Sequence, residues 1–89
     1  MPKYRIVVHR KADKFLDGLD EKTRRRVLEG ILCLENFPEF NESLDIVKME
    51  GQKDFYRLRK GKLRTMFTVD KITRTIIILK IAYREAAYE

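Results

Sequence analysis

The chain has one cysteine and one histidine in 89 residues, and each scarcity closes off a kind of chemistry. A lone Cys33 cannot form an intramolecular disulfide, so nothing covalent staples the fold and a reducing compartment is expected. A lone His9 excludes the histidine pair common in ribonucleases, and with one of each residue no transition-metal cluster can be assembled. There is no glycine-rich phosphate loop, and no cofactor is expected. The longest uninterrupted apolar run, Ile76 to Leu79, is far too short to span a bilayer. No cationic segment followed by an apolar run opens the chain, so no signal peptide is expected. Repeats and low-complexity segments are absent. These absences point to a cytoplasmic protein whose residues 1–89 make one domain with one core.

Charge, by contrast, is abundant. Charged residues make up 38% of the chain against 44% hydrophobic ones, a balance that suits a compact fold with a charged exterior and not a disordered tail. Twenty lysines and arginines face fourteen acids, giving a net charge of +6 and a pI near 9.6. A basic domain attracts polyanions: nucleic acid, the ribosome, an acidic protein or a membrane surface. Only the placement of the charge can narrow that choice.

Tyr4 to His9 is rich in β-branched and aromatic residues and reads as a strand, with Tyr4, Ile6 and Val8 on one face. The period then changes, and Ala12, Phe15, Leu16 and Leu19 recur at helical spacing. Gly18 and Asp20 interrupt that helix, and Asp20 is placed to cap a second one from Glu21 onward. Its apolar stripe is Val27, Leu28, Ile31, Leu34 and Leu32, and it must stop before Pro38. Gly30 sits mid-helix at a cost of about 1 kcal/mol against alanine, which fits a close packing contact. Cys33 reads as a buried small hydrophobe on this helix, and His9 as a structural or surface residue. After a polar, acidic connection over 39–45, strands are expected at 46–50, 55–59, 63–69 and 75–82, with Lys60-Gly61-Lys62 as a tight turn. A strand, a helical hairpin and a four-stranded antiparallel meander imply an α+β domain with the helices packed on one face of the sheet. The other face meets solvent.

That open face carries the charge. Alternation places Phe55, Arg57 and Arg59 on one side of their strand and Tyr56 and Leu58 on the other. In the hairpin partner, Leu63, Thr65, Phe67 and Val69 look inward, which leaves Arg64 and Met66 with the arginines. Arginine's planar fork grips phosphate in a bidentate way that lysine cannot match, although a strand face kept charged for solubility reads the same way. In the tail, Tyr83, Arg84 and Tyr88 can stack an unpaired base beside cations that hold phosphates. The two tyrosines can equally be apolar plugs closing the sheet edge.

Taken in order, Asp54-Phe55-Tyr56-Arg57-Leu58-Arg59, Lys60-Gly61-Lys62 and Leu63-Arg64-Thr65-Met66-Phe67 resemble the hairpin pattern of the RelE/ParE toxin superfamily. Ile81-Ala82-Tyr83-Arg84-Glu85-Ala86-Ala87-Tyr88 resembles the family's terminal arginine–tyrosine signature, and Lys48-Met49-Glu50-Gly51 resembles the step that introduces the hairpin. The resemblance covers nearly the whole chain. It implies a RelE-like fold and, for the RelE branch, a metal-independent endoribonuclease that cleaves messenger RNA in the ribosomal A site and is restrained by a RelB-like antitoxin. Arg57, Arg59, Arg64, Arg84 and Tyr88 fall on the active-site positions. Arg57 and Arg59 stand where many RelE members carry lysine, and Tyr83 where relatives often have histidine.

Cleavage of RNA by its own 2′-hydroxyl needs in-line geometry, stabilisation of the phosphoryl charge, and proton transfer at both ends. Converging arginines suit the second need, but arginine hardly ever gives up its proton. Tyr88 is assigned to acid/base work or to base stacking, the former only if neighbouring arginines favour its phenolate. Lys53, Lys60, Lys62 and Tyr83 are expected to bind the RNA, and the ribosome supplies much of the orientation. Two other readings keep the fold. A ParE-like toxin inhibits DNA gyrase by binding, without this arginine–tyrosine set, and a basic RNA-binding module would bind without cleaving. The joint presence of Arg57, Arg64, Arg84 and Tyr88 favours the nuclease.

Overall fold

The computed structural model describes residues 3–39 and 44–87. Tyr88 and part of the acidic connection lie outside the described residues. The chain runs through β1 (Arg5–Val8), α1 (Arg10–Asp17), α2 (Glu21–Cys33) and one 3-10 turn (Leu34–Asn36). Then come β2 (Asp45–Lys48), β3 (Phe55–Lys60), β4 (Leu63–Asp70), β5 (Thr75–Tyr83) and the single-turn α3 (Arg84–Ala87). All five strands form one sheet in the order β1-β5-β4-β3-β2. The four later strands pair antiparallel as a meander, and β1 lies parallel beside β5. This makes β5 an inner strand, hydrogen-bonded along both edges with α1 lying over it. Within its apolar run Ile76 and Ile78 are buried in the core, whereas Ile77 and Leu79 are only partly buried.

Helices α1 and α2 each begin on a side-chain cap. His9 Nδ1 accepts from the Lys11 N–H at 3.2 Å, which gives the only histidine a structural task, and the Asp20 carboxylate accepts from the Thr23 N–H at 3.1 Å. Ala12 and Leu16 of α1, Val27 and Ile31 of α2, and Leu34 bury against Leu58, Leu63, Phe67, Ile76, Ile78 and Ile81 of the sheet. Helix α1 lies over β5 and α2 over β3. At the second crossing a Cβ on Gly30 would stand 3.3 Å from Leu58 Cδ2 and 3.6 Å from Lys60 Cδ. The mid-helix glycine is there because the helix backbone needs that room. Farther along the core, the Tyr4, Phe37, Tyr56 and Phe67 rings follow one another at centroid spacings of 5.4, 5.6 and 5.5 Å.

The helix stripe is narrower than expected. Val27, Ile31 and Leu34 are buried, but Leu28 and Leu32 are exposed, Leu32 by 56%. Cys33 is exposed as well, not the buried hydrophobe of the expectation. A helix advances roughly 100° per residue, so Leu32 and Cys33, one and two residues past Ile31, and Leu28, one past Val27, turn away from the buried line. A stripe wide enough to include all of these residues would need a second partner surface.

Two consequences can be measured. Gly30→Ala should be near neutral in urea unfolding, because up to about 1 kcal/mol of helix propensity offsets the tight contact with Leu58. Gly30→Leu should cost about 1–3 kcal/mol by overpacking the α2–β3 crossing. Hydrogen bonding by Thr23 holds the Asp20 carboxyl below its ordinary value of 3.8, and hydrogen bonding by Thr73 does the same for Asp70 in the β4–β5 turn. Because the folded values are lowered, this stabilisation is present above the unfolded value and is lost as pH falls through the folded ones. Thermal unfolding between about pH 6 and pH 2 should therefore decline less steeply for an Asp20→Asn/Asp70→Asn variant, since asparagine caps without titrating.

Candidate nucleic-acid interface

Strand register sorts the basic residues before any side-chain detail is needed, because residues directly across a ladder share a face. Asp45, Arg59, Arg64 and Ala82 form one row across β2, β3, β4 and β5, and Val47, Arg57, Met66 and Lys80 form the next. Both rows lie on the face without helices. The opposite face carries Leu58, Leu63, Phe67 and Ile81, the sheet's half of the core. Arg57, Arg59 and Arg64 thus do come together, as the alternation predicts.

Arg64 differs from the expectation in one respect. It lies on the open face yet is only 8% exposed. Its Nη1 donates to the carbonyls of Gly61 at 2.9 Å and Leu63 at 2.8 Å, across the turn between β3 and β4. Gly61 makes that turn possible with φ +61°. Among the described residues Arg64 Nε is buried without a hydrogen-bond partner, and no carboxylate lies within ion-pair distance of the guanidinium. A buried cation held only by neutral carbonyls is costly, and Arg59 directly opposite adds like-charge repulsion. An anion bound between the two would relieve both. Arg59 is itself paired with Asp45 at 2.9 Å, but both partners are about half exposed, so the pair is worth at most about 1 kcal/mol and an incoming phosphate can compete with it. Arg57 directs Nη2 to Met49 Sδ at 3.2 Å.

Arg84 opens α3 where β5 ends. Its N–H donates to the Lys62 carbonyl at 2.8 Å, which holds it at the same end of the sheet as the Lys60–Lys62 turn. Its side chain is exposed, with Nε 3.6 Å from the Glu85 carboxylate. Lys62 is exposed on the turn itself. Lys53 is not part of this cluster: it precedes β3 at the opposite end of the strand, roughly 20 Å away at about 3.3 Å per residue. Tyr88 falls outside the described residues.

One irregularity divides the remaining site residues. Met66 pairs with Lys80 but Phe67 pairs with Ile78, so Leu79 is an extra residue in β5. This bulge inverts the alternation of the strand. Before it, Ile76 and Ile78 face the core; after it, Ile81 does, and Lys80 turns to the open face beside Met66 and Arg57. Tyr83, opposite Leu63, lands on the helix side, where its ring meets Phe15 at 5.6 Å and 65°. Lys60, also opposite Leu63, goes the same way and lies along α2 near Gly30. Tyr83 and Lys60 therefore do not join the arginine face, and Lys80, which alternation alone had hidden, does. The available signal was Lys80 itself, a charge in phase with the buried Ile76 and Ile78.

No family model matches the chain. Over 87 residues it is 34% identical to RelE1, named as a toxin, of Methanocaldococcus jannaschii, a match that covers 98% of this chain and 97% of that protein. A chain of the archaeal RelE–RelB complex from Pyrococcus horikoshii superposes with a TM-score of 0.80 at 36% identity, covering 92% of this chain and 96% of that one. The isolated RelE toxin of E. coli has the same fold, with a TM-score of 0.75 at 17% identity over 96% of this chain and 90% of that one. With that identity sustained along nearly the full length of both sequences, the chain belongs to the RelE toxin family.

Proposed function

We propose that this chain is the toxin of a type II toxin–antitoxin pair and cleaves messenger RNA in the ribosomal A site, without metal or cofactor. The observation that carries the reading is Arg64, a buried cation fixed on turn carbonyls opposite Arg59. Stabilising charge that develops on a phosphoryl group calls for donors already in place, and Arg64 needs little rearrangement to serve. The substrate's 2′-oxygen attacks phosphorus, the bond to the 5′-oxygen breaks, and a cyclic phosphate and a free 5′-hydroxyl result. One proton leaves the attacking oxygen and one reaches the departing oxygen. Arg57, Arg59, Arg64 and Arg84 stabilise charge in this scheme, and Lys80 holds an adjoining phosphate. Tyr88 carries a proton or stacks a base. The ribosome contributes orientation, which would otherwise be a large part of the barrier.

The partners follow the same logic. Similar chains come from RelE–RelB complexes of P. horikoshii and M. jannaschii, which supports a RelB-like antitoxin here, with an acidic segment suited to the basic face. Among the described residues no helix is long and apolar enough to cross a membrane, in keeping with action on cytoplasmic ribosomes.

Primer extension on a defined message carried by programmed ribosomes tests the reading. The wild-type protein should cut within the A-site codon only when ribosomes are present. Arg64→Ala and Arg84→Ala should each cut about 10²- to 10³-fold more slowly, with unchanged circular dichroism. Intact message in the presence of folded wild-type protein would sink the nuclease, and a gyrase supercoiling assay would then decide for or against the ParE-like alternative.

A further inference from the structure

The turn between β3 and β4 has a second side. There, between α2 and the sheet, runs a groove of about 570 Å³. Val27 and Leu63, both buried, form an apolar floor, and Arg26, Lys60 and Lys62 stand around it with the half-exposed Tyr83 at one end. Three properties of this groove point the same way. First, Arg26, Lys60 and Lys62 have no ion-pair partner among the described residues, whereas several other cations of the chain do. The carboxylate on the rim, Asp20, is engaged by the Thr23 N–H as the cap of α2. Second, the Tyr83 ring is held edge-on by Phe15 at 5.6 Å and remains 49% exposed. A ring held by a neighbour and still half exposed can stack a base while losing little freedom on binding. Third, Gly30 leaves the space through which the Lys60 side chain lies along α2, a Cβ there standing 3.9 Å from its Nζ.

The geometry points to this groove as a second RNA-binding site that takes an unpaired nucleotide, with its base on Tyr83 and the apolar floor and its phosphates on Arg26, Lys60 and Lys62. The inference rests on reading the open face as an RNA surface and extends it. Lys62 sits on the turn that divides the two faces, so a single strand held by Arg59 and Arg64 can pass over the turn and continue into the groove. The occupant favoured is single-stranded RNA and not an acidic peptide, because an aromatic platform among unpaired cations serves a base and its phosphates together. An acidic segment would use the cations and leave the ring without a purpose.

Equilibrium binding of the full chain to fluorescein-labelled oligoadenylates, without ribosomes, tests this apart from cleavage. A strand of about 4 nucleotides can be held on one face alone, and one of about 12 can reach both. Tyr83→Ala should weaken the longer strand by about ten- to a hundredfold and leave its salt dependence unchanged, while Tyr83→Phe restores binding. Arg26→Ala should lower the slope of log K against log salt by about 0.7, the share of one phosphate. Arg64→Ala reports the open face in the same titration. If Tyr83→Ala and Arg26→Ala both bind the longer strand like the wild type while Arg64→Ala does not, the groove is overturned and the open face stands. If only the Arg64→Ala change is silent, the groove stands and the open-face reading fails. Loss of poly-glutamate binding in Arg26→Ala, with RNA binding intact, would assign the groove to an acidic polypeptide and overturn the proposal.

Discussion

A sheet that is covered on one side must present its other side to water, and most of what this protein can do depends on that constraint. Helices α1 and α2 bury the inner face through Ala12, Leu16, Val27 and Ile31. The outer face then has to be filled by residues that tolerate exposure, and period-two alternation delivers them in rows. Arg57 and Arg59 face outward because Tyr56 and Leu58 face inward toward Phe67 and Val27's side of the core. Function and stability use alternate residues of the same strands.

Stability arguments alone do not account for the outer face. Arg59 and Arg64 stand directly across a ladder, where like charges repel. Arg64 is also buried with Nε unsatisfied among the described residues, a condition that costs roughly 1–3 kcal/mol or more for a charged group. An apolar pair at this position would be easier to fold. An anion bound between Arg59 and Arg64 would supply the compensation that folding lacks. The two carbonyls that hold Nη1 fix the guanidinium's position without neutralising it.

Much of the architecture is legible from local chemistry. The cap at Asp20, the glycine turn at Gly61 and the switches between helical and strand periods mark the main elements to within a residue or two. The alternation of the β3–β4 hairpin by itself places Arg57, Arg59 and Arg64 on a common face. Cys33 and Leu28 were harder, because hydrophobicity says that a residue can be buried and not that a partner exists to bury it. Helix α2 meets the sheet along a single line, set by the Gly30 contact with Leu58, and side chains off that line stay in solvent.

The bulge at Leu79 separates the two levels most sharply. Local sequence determined that Ile76 to Leu79 would lie in a strand, but its place between β1 and β4 was left to pairing across the sheet. It also determined the basic hairpin and its tight turn. Tertiary structure decided that one extra residue would be accommodated between the Met66 and Phe67 pairings. That slip sent Lys80 to the open face and Tyr83 to the helix side. Each outcome depends on register between strands distant in sequence, which pairing across the whole sheet settles and no run of neighbouring residues encodes.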